Sequence, residues 1–184
     1  ACGWPARWAK HLDPHLCSRL GKGTFGVVLK TRLKCSPTTE VAVKRMDNVP
    51  WSEFVSEAKL LKTFSAHPSF IHYISYDPKE TPYTRTLRRG HILMEAATGG
   101  TLKEIVGSSD RVVSQQRKKQ LFVDLLAGVE YMHSRHIIHR DLKPANVFVT
   151  PSCTSGGKTC HAKIGDLGVS CDKSRYGDCR GLSG

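Results

Sequence analysis

Four polar residues in the second half of this 184-residue chain have types and spacing suited to chemistry on a metal-bound phosphate. Asp141 can accept a proton from an attacking hydroxyl, and Lys143 can neutralise charge on a transferring group. Asn146 and Asp166 offer hard oxygen ligands of the kind that Mg²⁺ prefers. The set predicts a phosphoryl-transfer site, where catalysis is mostly positioning and electrostatic stabilisation.

Two short motifs contain this set. Residues 139–146 read His-Arg-Asp-Leu-Lys-Pro-Ala-Asn, and Asp166-Leu167-Gly168 ends a short apolar run further on. The pattern resembles the catalytic loop and the metal-binding loop of protein kinases. A turn-rich loop with incidental charges is the alternative, and two matching motifs at suitable spacing disfavour it. The resemblance implies that Asp141 and Lys143 are catalytic and that Asn146 and Asp166 bind the metal.

A glycine-rich stretch, Gly21-Lys22-Gly23-Thr24-Phe25-Gly26, lies near the start of the chain. Dinucleotide-binding proteins use the same G-x-G-x-x-G spacing before a helix, with an acidic residue about twenty positions on, and Glu40 is placed for that role. However, residues 27–34 are rich in β-branched and alternating residues, which predicts a strand. A strand–glycine loop–strand hairpin matches the kinase arrangement, in which Gly21, Gly23 and Gly26 let the backbone approach a nucleotide.

The next apolar stretch, Val41-Ala42-Val43-Lys44, predicts a strand with Ala42 and Lys44 on one face. By resemblance, Val28 and Ala42 enclose the adenine and Lys44 holds the α- and β-phosphates of ATP. Glu57, in the helix that follows, is the expected ion-pair partner of Lys44. Glu53, one helical turn earlier, is the competing partner.

Three further positions are assigned to the nucleotide site by the resemblance alone. Met94 occupies the gatekeeper position behind the adenine pocket, and residues 95–97, from Glu95 to Ala97, form the hinge. Phe148, in the short apolar run after the catalytic loop, is expected to close the adenine site from below. Hinge recognition of adenine uses backbone groups, so the side chains there reveal little.

The remaining elements are read from periodicity and capping. Thr101 and Glu104 form a capping box before a short helix, and Ser52 is the expected cap of a helix over 53–64. The other expectations are a turn at 36–39, a strand at 70–76, a polar connection over 77–90, a mostly buried helix over 114–134 and a hairpin insertion over 151–160.

The predicted fold class is α+β, a bilobal protein-kinase-like fold. It has an antiparallel-sheet small lobe with one helix, and a partial, mainly helical large lobe. Residues 1–15 form an N-terminal lead, residues 16–95 the small lobe, and residues 96–184 the hinge and partial large lobe, ending in the activation segment. No Ala-Pro-Glu motif follows Asp166, so the resemblance implies that further large-lobe helices are absent from this chain.

Composition limits the partners. The formal net charge of +12 could indicate an acidic partner, but the lysines and arginines are scattered, which favours a solvated surface and disfavours nucleic acid. No run approaches the roughly 18 apolar residues that a membrane span requires. Residues 1–15 show no signal peptide, so a cytoplasmic location is the default expectation. Oligomeric state is left open.

Cysteines and histidines offer weaker signals. The seven cysteines include no C-x-x-C pair, which disfavours zinc and predicts reduced thiols. A disulfide between Cys153 and Cys160 is the alternative that an oxidising compartment would favour. His133, His136 and His139 are spaced by three, but this spacing runs off the end of a helix, so a metal site there is disfavoured.

The expected function is ATP-dependent and Mg²⁺-dependent transfer of phosphate to serine or threonine hydroxyls of a protein substrate. Lys143, two residues after Asp141, is typical of the serine/threonine branch, and Leu167, where phenylalanine is usual, is found in the NimA-related branch. A catalytically incompetent nucleotide-binding fragment or scaffold is the alternative. Arg140 is expected either to pair with a phosphate on the activation segment, with Ser183 the favoured site, or to brace the loop through backbone carbonyls.

Overall fold

A computed structural model describes residues 4–23, 26–79, 86–107, 113–153, 160–176 and 179. The chain divides into two compact units. Unit 1 contains residues 1–62 and 72–96, and unit 2 contains residues 63–71 and 97–184. Residues 63–71, which the sequence placed with the first lobe, therefore group with the second unit.

Unit 1 is built on one antiparallel five-stranded sheet. The short helix α1 (Ala6–Ala9) precedes the strands β1 (Ser18–Gly23), β2 (Gly26–Leu33) and β3 (Ser36–Pro50), which are followed by the helix α2 (Trp51–Phe64) and the strands β4 (Tyr73–Lys79) and β5 (Thr86–Glu95). The strand order is β1-β2-β3-β5-β4. The central strand β3 thus pairs with β2 on one side and β5 on the other, which places Lys44 in the middle of the sheet.

One face of this sheet is covered by the N-terminal lead. Trp4, Trp8 and Leu12 are buried and pack in one cluster with Val41, Val43 and Leu93 of the two central strands. The backbone of the lead also joins the sheet, since the amide of Asp13 donates to the carbonyl of Arg32. The sequence predicted residues 1–15 as a lead separate from the small lobe. In the structure, this lead is part of the core of unit 1.

Unit 2 contains the remaining helices and two small sheets. Its elements are α3 (Leu102–Gly107), α4 (Gln115–His133), β6 (Ile137–Ile138), β7 (Val147–Val149), β8 (Ala162–Ile164), β9 (Cys171–Asp172) and α5 (Lys173–Tyr176). Strand β6 pairs with β9 and β7 pairs with β8, both antiparallel. Short 3₁₀ helices cover Pro144–Asn146 and Pro151–Cys153.

The helix starts of unit 2 follow the capping chemistry that the sequence predicts. The amide of Thr101 donates to Oε2 of Glu104 at 2.8 Å and the amide of Glu104 donates to Oγ1 of Thr101 at 3.2 Å, so the capping box is confirmed. Ser114 caps α4 by accepting from the amide of Arg117. One expectation is only partly met, because α4 buries Leu121 and Met132 but leaves three apolar side chains exposed: Phe122, Val123 and Leu126.

Several predicted boundaries in unit 1 are wrong. Residues 36–39 belong to β3, and the turn before it is at residues 34–35. Helix α2 begins at Trp51, so Ser52 is inside the helix and is not its cap. Strand β4 begins at Tyr73. The described parts of the expected polar connection, residues 77–79 and 86–90, are strand, and Lys79 pairs with Arg89, while residues 80–85 lie outside the described residues. Cross-strand pairing explains the errors at residues 36–39 and in the expected connection, because it extends β3, β4 and β5 into residues of low strand propensity.

Two disulfides correct the expectation of reduced thiols. Cys153 bonds to Cys160, the pairing that the sequence offered as an alternative, and Cys171 bonds to Cys179, which the sequence did not indicate. Cys153 and Cys160 flank the β7–β8 pair, and both lie in the apolar core of unit 2 with Val149 and Ala162. Among the described residues, no set of three or more His, Cys, Asp or Glu side chains is grouped to bind a metal, so the three histidines form no such site.

Candidate active site

The ammonium of Lys44 is buried in unit 1 against a carboxylate. Its Nζ lies 2.5 Å from Oε1 of Glu57, and the two side chains are only 9% and 1% exposed. A buried charge needs a partner, because removing each ion from water costs roughly several kcal/mol. Between the two candidates that the sequence left open, the structure therefore selects Glu57, while Glu53 on the same helix is exposed.

The strand register gathers the expected nucleotide residues of unit 1 on one face of the sheet. Val28 pairs with Lys44, Ala42 alternates with Lys44 along β3, and Ala42 pairs with Met94. Directly paired residues and residues two apart in a strand point to the same side. Val28, Ala42, Lys44 and Met94 therefore share the face opposite the N-terminal lead.

The glycine-rich stretch is a hairpin. Gly21 pairs with Val28 and Gly23 pairs with Gly26, so β1 and β2 are antiparallel and a strand follows the last glycine. The helix that a dinucleotide-binding fold requires at this place is replaced by strand β2. Gly26 has a φ of +146°, and a Cβ there would overlap the carbonyl oxygen of Arg45. Only glycine fits at this position without moving the backbone. Thr24 and Phe25 lie outside the described residues.

Asp141 lies at the centre of the catalytic loop in unit 2. Nζ of Lys143 lies 2.9 and 2.8 Å from its two carboxylate oxygens, and Nδ2 of Asn146 donates to its Oδ2 at 2.9 Å. Nδ2 of Asn146 also donates to the main-chain carbonyl of Asp141 at 2.8 Å. Below the loop, Nε2 of the buried His139 lies 3.0 Å from the carbonyl oxygen of Gly165. His139 thus supports the loop.

The pKa of Asp141 is lowered by these contacts. The hydrogen bond from Lys143 is the largest cause, desolvation acts in the opposite direction, and the hydrogen bond from Asn146 and the charge of Lys143 lower it further. The carboxylate therefore stays ionised down to a lower pH than an ordinary aspartate does. It is 40% exposed, which leaves it open to an approaching hydroxyl.

Asn146 and Asp166 are brought to the same end of the β7–β8 pair. Val147 pairs with Ile164, and the amide of Gly165 donates to the carbonyl of Asn146 at 3.0 Å. Asp166 is the next residue, in a left-handed conformation with a φ of +57°. Both amide contacts of Asn146 to Asp141 use its nitrogen, so its side-chain oxygen is the atom suited to a metal. An amide oxygen and a carboxylate fit Mg²⁺, which binds few protein oxygens and completes its shell with water and phosphate.

The other predicted nucleotide residues are placed in separate units. Glu95 ends β5 in unit 1 and exchanges two hydrogen bonds with the backbone of His72, through its amide and its Oε1. Ala97 and Phe148 belong to unit 2. The ring of Phe148 lies over Gly165, where an added Cβ would be 2.7 Å from it. The His72–Glu95 pairing was not anticipated, because no local pattern links residues so far apart in sequence.

Unit 1 carries the buried Lys44–Glu57 pair, and unit 2 carries Asp141, Asn146 and Asp166. Both groups match the motifs of a protein kinase domain. The family profile described as the protein kinase domain matches residues 15–180. The chain belongs to the protein kinase family, and the predicted fold class is confirmed.

Individual relatives include kinases of both specificity classes. The tyrosine-protein kinase transforming protein Fps of avian sarcoma virus (strain PRCII) is 31% identical over 169 residues, covering 89% of this chain and 29% of its own length. The probable serine/threonine-protein kinase iksA of Dictyostelium discoideum is 31% identical over 166 residues, covering 84% of this chain and 17% of its own length. Tyrosine-protein kinase Fer of Mus musculus is also 31% identical, covering 89% and 18%. The chain thus spans less than a third of each of these relatives.

No helix in the described part of the chain is long and apolar enough to cross a membrane.

Proposed function

We propose that this protein transfers the γ-phosphate of ATP to serine or threonine hydroxyls of protein substrates. The observation that carries the proposal is the half-exposed carboxylate of Asp141, oriented by Lys143 and Asn146. A general base must be accessible and fixed in direction, and Asp141 meets both conditions.

Each residue then has a distinct task. Bound ATP with Mg²⁺ supplies the phosphoryl group and neutralises charge on its oxygens. Asn146 and Asp166 would hold the metal, and Lys44, kept in place by Glu57, would hold the α- and β-phosphates. Asp141 orients the substrate hydroxyl and accepts its proton, while Lys143 balances charge on the transferring group.

The choice of serine or threonine over tyrosine rests on Lys143. Relatives at the same identity include named tyrosine kinases and serine/threonine kinases, so overall similarity does not separate the two. The lysine beside the catalytic aspartate favours the serine/threonine class. Phosphorylation of a mixed peptide library, followed by phosphoamino-acid analysis, tests this choice, and phosphotyrosine as the main product would refute it.

Two substitutions test the transfer reaction itself. Asp141→Asn keeps the shape of the side chain but removes the base, so transfer of radiolabelled phosphate should fall by a factor on the order of 10² or more. Binding of ATP should survive. Lys44→Met should lower transfer comparably by removing a contact to the phosphates. A wild-type protein that binds ATP but transfers no phosphate would show the alternative, a nucleotide-binding scaffold.

A further inference from the structure

The two disulfides of unit 2 differ in how exposed their cysteines are. Cys153 and Cys160 are 3% and 4% exposed, and both belong to the apolar core. Cys171 is equally buried, at 2%, but its partner Cys179 is partly exposed. A buried cysteine is chemically inert, whereas exchange with an outside thiol requires access to a sulfur. Of the two bonds, Cys171–Cys179 is therefore the one that a reductant can attack in the folded protein.

The buried end of this bond is fixed to the strand that leads into the catalytic loop. Cys171 is on β9 and pairs with Ile138 of β6, which directly precedes His139. The amide of Lys173 donates to the carbonyl of His136 at 2.8 Å, which extends the same pairing. These contacts are made by the backbone and do not involve the sulfur of Cys171. They hold this end of the bond beside the catalytic loop.

The accessible end of the bond contacts the catalytic loop through Arg140. Nη1 of Arg140 lies 3.4 Å from the carbonyl oxygen of Cys179, and its Nε lies 2.5 Å from that of Val169. The disulfide holds the Cα atoms of Cys171 and Cys179 6.0 Å apart across eight positions of sequence. An extended chain of that length could separate them by about 26 Å. Opening the bond thus removes the covalent restraint that keeps the carbonyl of Cys179 near Arg140.

Closure of the bond leaves the catalytic carboxylate accessible. With the disulfide formed, the side chain of Asp141 is 40% exposed and that of Lys143 is 53% exposed. Asn146 still donates to Oδ2 of Asp141 at 2.9 Å. The closed form therefore supports Arg140 without covering Asp141.

We propose that Cys171–Cys179 is a redox modification site, which a small dithiol opens and an oxidised dithiol closes. One thiolate of the dithiol attacks the sulfur of Cys179, the bond between the two cysteine sulfurs breaks, and Cys171 leaves as a thiolate that takes up a proton. The second thiolate of the dithiol then attacks the first dithiol sulfur in the mixed disulfide and releases Cys179, which also takes up a proton. Two electrons and two protons pass from the dithiol to the protein, and the dithiol becomes a cyclic disulfide.

Opening the bond lowers the rate of the phosphate transfer proposed above, on which this part of the role rests. Arg140 directly precedes Asp141, and in the open form its guanidinium loses the restraint on one of its two carbonyl contacts. A small displacement of a group in the site can lower a rate by an order of magnitude or more. The closed, oxidised form is therefore the more active one.

Reduction of the folded protein with dithiothreitol tests the site without using catalysis. The thiols formed are alkylated at set times, and peptide mass spectrometry gives the reduced fraction of each disulfide. Cys171–Cys179 should open roughly tenfold or more faster than Cys153–Cys160, because the buried pair must wait for local unfolding. In concentrated urea, where both pairs are exposed, the two rates should converge.

Three results of this experiment would overturn the proposal. The first is equal reduction of both pairs in the folded protein, or faster reduction of the buried pair. The second is a difference that persists unchanged in urea, because it would then arise from the local sequence and not from burial. The third is folded protein in which Cys171 and Cys179 remain free thiols after treatment with oxidised dithiothreitol.

Transfer of radiolabelled phosphate tests the link to Arg140. Dithiothreitol at a concentration that opens Cys171–Cys179 and leaves Cys153–Cys160 closed should lower the wild-type rate about tenfold, and oxidised dithiothreitol should restore it. Arg140→Ala should be slow in both states, since the contact that closure provides is already gone. An unchanged wild-type rate, or an equal loss in the wild type and Arg140→Ala, would refute the link.

Two cysteine variants complete the comparison. Cys179→Ser cannot close the bond, so it should transfer at the rate of the reduced wild type and should not respond to dithiothreitol. Cys35→Ser removes an exposed free thiol and should respond as the wild type does. A Cys179→Ser variant as fast as the oxidised wild type, or loss of the response in Cys35→Ser, would contradict the assignment.

The wild-type measurements decide the question if Cys179→Ser does not fold, because reduction and reoxidation need no substitution. The two halves of the test also fail separately. If the wild type transfers no phosphate, the proposed function fails while the comparison of the two disulfides still stands.

Discussion

Nε of Arg140 lies 2.5 Å from the carbonyl oxygen of Val169, so the guanidinium braces the segment that follows Asp166. Nη1 of the same side chain lies 3.4 Å from the carbonyl oxygen of Cys179, which is bonded to Cys171. This is the geometry of the bracing alternative that the sequence left open. Ser183, the phosphate site favoured from sequence, lies outside the described residues.

The bracing contacts predict that the transfer rate depends on Arg140 but not on phosphorylation. Arg140→Ala should lower the transfer rate roughly tenfold or more, because losing the contacts to Val169 and Cys179 releases the segment next to Asp166, and a small misplacement of a site residue can lower a rate by that much. Phosphatase treatment of the wild type should leave its rate unchanged. The measurement is a transfer assay on treated and untreated protein. Bracing would be contradicted if phosphatase treatment greatly lowered the rate of the wild type but did not lower the rate of Arg140→Ala.

The pKa of Asp141 should rise when Lys143 is replaced. Lys143→Gln removes the largest cause of the lowering, so the midpoint measured by carboxyl-carbon NMR should move up toward the ordinary value of 3.8. A carboxyl with a lowered folded pKa stabilises the fold above its unfolded pKa, and this stabilisation is lost as the pH falls through the folded value. The stability difference between the wild type and Lys143→Gln should therefore disappear at strongly acidic pH. Lys119→Gln, at an exposed site on α4, is the control that should leave the midpoint unchanged.

Asp166 should make nucleotide binding depend on metal. Titration calorimetry of ATP with and without Mg²⁺ should show tighter binding with the ion, and Asp166→Asn should weaken the Mg²⁺-dependent part on the order of tenfold, or about 1.4 kcal/mol. The reason is that the carboxylate is the strongest oxygen ligand offered to the ion. Glu130→Gln, exposed on α4, should behave as the wild type. Equal affinity with and without Mg²⁺ would refute the metal assignment.

The N-terminal lead should be required for stability. Trp8 is only 6% exposed and packs on the sheet face opposite Lys44. Trp8→Ala should therefore lower the free energy of unfolding by about 3–5 kcal/mol. Leu16→Ala, at a site that is 48% exposed, should change it by less than about 0.5 kcal/mol. Urea denaturation of both variants measures the difference. A Trp8→Ala variant as stable as Leu16→Ala would show that the lead does not contribute to the core.

The sequence by itself determined the features that short-range chemistry controls. The catalytic loop places Asp141, Lys143 and Asn146 within a few residues, so their contacts follow from one turn of chain. The capping box at Thr101 is equally local. The glycine hairpin followed from the β-branched run after Gly26, because side-chain alternation distinguishes a strand from a helix.

Only the tertiary structure decided the pairings between distant residues. The selection of Glu57 over Glu53 depends on which face of α2 the burial of Phe54 turns toward the sheet. Cysteine spacing likewise did not reveal the partner of Cys171, and the sequence of the N-terminal lead gave no local sign that Trp8 would cover the strands. The physical reason is common to all three. Burial and long-range contacts are properties of surfaces that exist only once the chain has folded, and no periodicity within one segment encodes its partner.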